Sequence, residues 1–214
     1  MESHMTSVSL AGLEEGPCEV EQLDRRTGKR MVTTYRLVQV HHADDLGLGW
    51  CRNISDGGMK LNLGMNVELN DVIDVAFSPT IMVQGTVIWV NGTECGVRFA
   101  NEIDSTELLS QTAAELRTEN ARAPRLKTEL PARVYFDGVT KSSTIHDISL
   151  RGMKVASDSD FKPGLKVNVI LANSMELRGV IRWTQENIAG LFLLDSLSVT
   201  DLSSVRSLGE KKAF

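Results

Sequence analysis

The feature that most constrains this chain is a repeat of itself. Sliding the sequence by 94 positions lays NISDGGMKL (53–61) over DISLRGMKV (147–155), with Ile, Ser, Gly, Met and Lys identical and Asn53 on Asp147. The same offset continues without a gap. Ile73, Val75 and Phe77 fall on Val167, Val169 and Leu171, then Ile81, Val83, Gly85, Val87 and Trp89 on Met175, Leu177, Gly179, Ile181 and Trp183. Gly96 falls on Gly190. One offset held over so long a stretch means two copies of one domain, and 214 residues suffice for two domains of about 100 residues each.

Each copy reads as β structure. Apolar residues alternate with period 2, as half-buried strands require. Asn91-Gly92 and Asp137-Gly138 are two-residue hairpin signals. Asn70 aligns with Gly164, and both residue types tolerate a left-handed backbone. Short strands between closely spaced turns make each copy a small antiparallel barrel, with Trp89 and Trp183 expected in the two cores. Between the copies, DSTELLSQTAAELRTENARA predicts a helix capped by Asp104 or Ser105, with an apolar stripe of Leu109, Ala113 and Leu116. Pro124 and Pro131 end it. SVTDLSSVRSLG predicts a shorter helix in the equivalent place after the second copy. The expected organisation is a loosely ordered tail over 1–21, a first barrel with its helix over 22–118, and a second barrel over 119–214.

Composition removes several classes of function. The longest apolar runs are a handful of residues, far short of the roughly 20 needed to cross a bilayer, so no membrane insertion is expected. MESHMTSVSLAGLEEG has neither a basic start nor an apolar stretch, so no secretion signal is expected. Cys18, Cys51 and Cys95 show no CxxC spacing and read as reduced thiols of a cytoplasmic protein. A net charge of −5 with 5% aromatic residues argues against nucleic acid as a partner, because single-strand binders need stacking platforms in a basic groove. His41 and His42 point to opposite faces of a strand, no histidine has a metal-ligand spacing, and no nucleophile motif such as GxSxG occurs. Neither a metal nor catalysis is expected. Asn53-Ile54-Ser55 and Asn91-Gly92-Thr93 fit the glycosylation pattern, which is idle without secretion.

DRRTGKR (24–30), then NISDGG (53–58), then GTVIWV and GVRF further on, together resemble the PilZ domain family. Its signature is RxxxR, then [D/N]xSxxG, then a strand ending near a tryptophan and a second strand ending in phenylalanine. Here Arg26 and Arg30 match the first element, and Asn53, Ser55 and Gly58 the second. Asp147, Ser149 and Gly152 match the second element in the second copy. The resemblance covers both repeats. It implies two six-stranded antiparallel barrels in tandem, joined by a helix, in a mainly all-β, cytoplasmic bacterial protein. It implies no catalytic role and no cofactor. The implied ligand is cyclic di-GMP, whose binding changes how the protein docks with a downstream protein.

The residues suit that ligand. Arginine forks onto guanine O6 and N7 or onto phosphate, and stacks its plane on a base. Arg25, Arg26, Lys29 and Arg30 make a local anion site on an acidic chain. In an extended arm Arg26 and Arg30 point the same way. Asn53 and Ser55 share a strand face, and Gly58 leaves room for close approach. The arm 22–31 is expected to fold across the barrel when ligand binds. In the second copy Asn120 and Pro124 stand where the arginines should be. Arg122 and Arg125 are three apart and point to opposite sides of an extended strand, so a second site of Arg122, Arg125, Asp147, Ser149 and Gly152 lacks the clamp. That domain is expected to serve as an output or dimerisation surface, a homodimer being one open assembly. The competing expectation is an interaction module that keeps the barrel and has lost the nucleotide.

Overall fold

The computed structural model describes residues 31–117, 123–156 and 161–210. They form two closed six-stranded antiparallel barrels. The first is built from β1 (Val32–His42), β2 (Asp45–Ser55), β3 (Gly58–Leu63), β4 (Val72–Ala76), β5 (Met82–Asn91) and β6 (Glu94–Phe99), in the order β1-β2-β3-β6-β5-β4. The second repeats it with β7 (Leu126–Phe136), β8 (Val139–Ser149), β9 (Gly152–Ala156), β10 (Lys166–Leu171), β11 (Glu176–Gln185) and β12 (Ile188–Leu193). Closure removes the open sheet edges that would otherwise invite pairing with other chains.

Alternation puts one face of every strand inside. Val38, Val40, Cys51, Ile54, Leu61, Ile73, Val75 and Val87 form the first core; Val134, Ile145, Met153, Val155, Val169 and Ile181 belong to the second. Turn chemistry closes the hairpins. Asp137 and Gly138 both have positive φ, the pattern of a type I′ turn. In the other expected turn the central pair is Gly92-Thr93, with Asn91 paired to Glu94 and positive φ at Gly92, so the turn sits one residue later than expected. Asn70 and Gly164 both adopt the left-handed backbone.

Two expectations are corrected. Trp89 and Trp183 are not core residues: they are 39% and 41% exposed. The register shifts between Val87 and Trp89, and between Ile181 and Trp183, so a bulge reverses the alternation and turns each indole outward. Each ring then lies on a glycine, and a Cβ on Gly96 or Gly190 would overlap it. The helix α1 (Ser105–Leu116) is capped by Asp104 as expected, but it buries Ser105, Leu108 and Thr112; of the expected stripe Leu109 packs against the first core, while Leu116 is exposed. Its rotation is set at the N-terminus, where Asp56 accepts from both the Ser105 amide (3.1 Å) and hydroxyl (2.7 Å). The tail helix α2 is short, Val205–Gly209, with Leu208 buried.

The barrels share a joint. Leu48 points out of the first barrel and packs in the hydrophobic core of the second, where Leu37 and Leu46 also pack. Its amide donates to the Leu202 carbonyl at 2.7 Å. The Asp45 carboxylate accepts from the Ser204 hydroxyl (2.6 Å) and the Arg206 amide (3.0 Å). Gln39 Nε2 donates to the Arg125 carbonyl at 3.3 Å.

Cys51 and Cys95 are free and buried. Burial pushes the Cys51 thiol up to about 12, opposed by the Arg36 charge, and the Cys95 thiol up to about 11. Unfolded thiols ionise near 9.0. The stability from burying neutral thiols is therefore complete below pH 9 and is lost as pH rises toward the folded values. The expected loss is about 1.4 kcal/mol per pH unit and thiol. Urea unfolding at pH 8, 9 and 10 should fall more steeply for the wild type than for Cys51→Ala; parallel profiles would contradict it.

Candidate ligand-binding site

The NISDGG segment is the hairpin between β2 and β3. Ser55 pairs with Gly58 across a two-residue loop, and the Ser55 hydroxyl donates to the Gly58 carbonyl at 3.2 Å. In the second barrel the Ser149 hydroxyl donates to Gly152 in the same way, at 2.9 Å. A Cβ on Gly58 would come within 2.4 Å of the Val97 carbonyl, and one on Gly152 within 2.6 Å of the Leu191 carbonyl. Serine and glycine therefore have structural work in both copies. Each loop also anchors the end of its barrel's last strand and the segment beyond it. Phe99 and Ile103 donate their amides to the Gly57 and Asp56 carbonyls, and Leu193 and Leu197 to those of Arg151 and Leu150.

The two copies part company at the residue between these shared features. Asp147 is buried and doubly paired. Arg125 donates to it from Nε at 2.8 Å and from Nη2 at 2.5 Å, and Lys154 Nζ lies 3.2 Å away. In the first copy the position of Arg125 holds Met31, Asp147 becomes neutral Asn53, and Lys60, the counterpart of Lys154, pairs with Glu94 at 2.8 Å. No described residue hydrogen-bonds the Asn53 side chain. Among the described residues, the Asn53 amide therefore lacks the partners that the Asp147 carboxylate has in the second barrel.

Beside Asn53 lies an open cavity of about 420 Å³, lined by Thr33, Thr34, Tyr35, Arg52, Asn53, Lys60 and Glu94. Two irregularities of register build it: β1 shifts against β2 between Thr33 and Arg36, and β2 against β3 between Cys51 and Asn53. Such bulges re-aim side chains. Tyr35 stacks on Trp50 with ring centroids 4.4 Å apart, and the Arg52 guanidinium sits 4.6 Å from the Tyr35 centroid. Arg52 has no described carboxylate partner. Deeper in β1, Arg36 stands where the second barrel has buried Leu130, and its Nη1 is buried without a described hydrogen-bond partner.

Of the sequence-predicted residues, Asn53, Ser55 and Gly58 come together on this hairpin, and Asp147, Ser149 and Gly152 on its twin, where Arg125, just before β7, reaches Asp147. Arg25, Arg26, Arg30 and Arg122 lie outside the described residues. Tyr35, Arg52 and Lys60 were missed by sequence reasoning. Their signal was the difference between copies: the 94-residue offset puts Glu129, His146 and Lys154 against them, so two of the three change character.

Arg125 itself gives a test. Arg125→Ala should destabilise the second barrel by about 1–3 kcal/mol, because it leaves a buried carboxylate with one exposed lysine. Thermal unfolding reads this, and an unchanged midpoint would show that Lys154 alone satisfies Asp147.

The fold and hairpins define a tandem pair of closed six-stranded antiparallel barrels. The PilZ domain model matches the chain twice, over residues 24–115 and 119–208, and the chain belongs to that family. No curated protein matches in sequence. Similar solved structures include the PlzA protein of Borreliella burgdorferi in complex with c-di-GMP (12% identity, 77% of this chain and 87% of that one, TM-score 0.33). Others are the Bacillus subtilis inhibitor of motility MotI/DgrA (10%, 80% and 94%, TM-score 0.34) and Escherichia coli YcgR in complex with c-di-GMP (14%, 74% and 75%, TM-score 0.29). None of the described helices is long and apolar enough to cross a membrane.

Proposed function

We propose that the chain is a cyclic di-GMP receptor whose first barrel holds the ligand and whose response is read by a protein partner. The observation that carries this is the contrast at one position. Asn53 faces an open cavity with an arginine and a lysine in its wall, while Asp147 is closed off by Arg125 and Lys154. The ligand has two phosphates and two guanines. Asn53 offers an amide to a base edge or sugar-phosphate, and Arg26 and Arg30 of the preceding arm supply forks for guanine and phosphate. The second barrel, its motif engaged internally, contributes the joint and an output surface instead of a second site. Binding of a signal, with no chemical step, is the activity this arrangement serves.

Calorimetric titration with cyclic di-GMP, with GTP as control, tests the proposal. Saturable heat at one binding event per chain is expected, whether the ligand enters as a monomer or a stacked pair. Two independent classes of site would restore the second barrel as a receptor. A flat titration would leave a barrel pair that works by protein contact alone.

A further inference from the structure

We propose that Arg52 is the wall on which a guanine base stacks, and that Tyr35 and Trp50 hold its guanidinium flat for that purpose. This rests on the first barrel being the receptor, and it adds a base-reading residue outside the arginine arm and the [D/N]xSxxG hairpin. Tyr35 is 63% exposed, yet it does not hang free: Trp50 stacks on it at 4.4 Å and Arg52 lies over it at 4.6 Å. Trp50 and Arg52 are two apart on β2, and Tyr35 comes from β1 beside them, so two strands contribute to one layered stack. The guanidinium is planar, and an aromatic ring beneath one face orients that plane. Arg52 and Tyr35 line the same cavity as Asn53, the next residue in the chain. A base laid on Arg52 would therefore reach the Asn53 amide with its edge.

The second barrel provides the internal comparison. Its bulges fall at equivalent places, between Lys127 and Leu130 and between Ile145 and Asp147. The residues there again meet across the strands, but they are His146 and Glu129, with Nδ1 2.9 Å from the carboxylate. Trp50 becomes Thr144. The scaffold presents a cross-strand pair in both barrels, and only in the first does it stack an arginine on an aromatic ring, with no described carboxylate paired to that arginine.

The test separates plane from charge. Cyclic di-GMP is titrated calorimetrically into the full chain and into Arg52→Ala, Arg52→Lys, Tyr35→Ala and Tyr35→Phe, with unfolding midpoints confirming that each is folded. Loss of a stacked base is expected to weaken binding about 5- to 150-fold in Arg52→Ala. Arg52→Lys should recover little of it, since a lysine keeps the charge and lacks the plane. Tyr35→Ala should weaken binding to a smaller degree, and Tyr35→Phe should restore it. Ligand should also change tryptophan emission in the wild type, and that change should vanish in Trp50→Phe. Wild-type affinity in Arg52→Lys would reduce Arg52 to a point charge and overturn the stack. Binding unchanged in Arg52→Ala would overturn it while leaving the first barrel a receptor. No binding by the wild type would overturn both.

Discussion

Replacing Leu48 by aspartate should uncouple the two barrels while leaving the first one folded. Leu48 is 1% exposed, although it points away from its own barrel; it belongs to the core of the other. Truncation of a buried leucine costs about 2–5 kcal/mol, and a carboxylate at the same place adds the cost of an unpaired buried charge. The first core, with Val38, Val40, Cys51 and Ile54, does not use this side chain. Chemical unfolding of the wild type is expected to be one transition, and Leu48→Asp should split it, with the second barrel melting first. Gly47→Ala tests the same joint by another route, because its Cβ would fall 1.9 Å from the Ser203 carbonyl. A single transition of unchanged midpoint in both variants would mean that the barrels are held together elsewhere.

Loss of Arg30 should weaken cyclic di-GMP binding about 5- to 150-fold, the equivalent of a forked contact worth about 1–3 kcal/mol. Arg26→Ala should behave alike, because the proposed clamp uses both arginines of the RxxxR element. The comparator is Lys29→Ala. It removes one positive charge from the same segment without removing a planar fork, so a general electrostatic field would show equal losses in all three variants. A clamp shows large losses for the arginines and a small one for the lysine. Salt separates the two further, because screening weakens a diffuse field more than a desolvated contact. Calorimetry at two ionic strengths reads both effects.

The barrels were legible because duplication and alternation are properties of the string. The offset between Asn53 and Asp147 holds from the start of β1 and β7 to the end of β6 and β12, so a repeat found in one motif carried the whole architecture. What escaped was set by irregularity. Nothing in GTVIWV announces the bulge at Ile88 that turns Trp89 outward, since strict alternation puts it inside with Val87. The stripe of α1 was misplaced because its rotation depends on Asp56, a residue 49 positions away from Ser105. For the same reason the candidate site was read in part. Asn53 and its hairpin are local and could be found by spacing. The Tyr35–Arg52 contact needs two bulges to bring distant residues together, and no periodicity predicts such a meeting.

Strand β2 carries the joint at one end and the cavity at the other. Asp45, Leu48, Trp50, Arg52 and Asn53 follow one another along it, and at about 3.3 Å per residue only some 13 Å separate Leu48 from Arg52. The pairing of β2 with both neighbours breaks at Arg52 and resumes at Asn53, so the base of the cavity wall is a local interruption in the strand that also carries the joint. On the proposed function, a ligand that displaced Arg52 would act one short stretch of strand away from the joint at Leu48. A partner that touches both barrels would meet that joint directly.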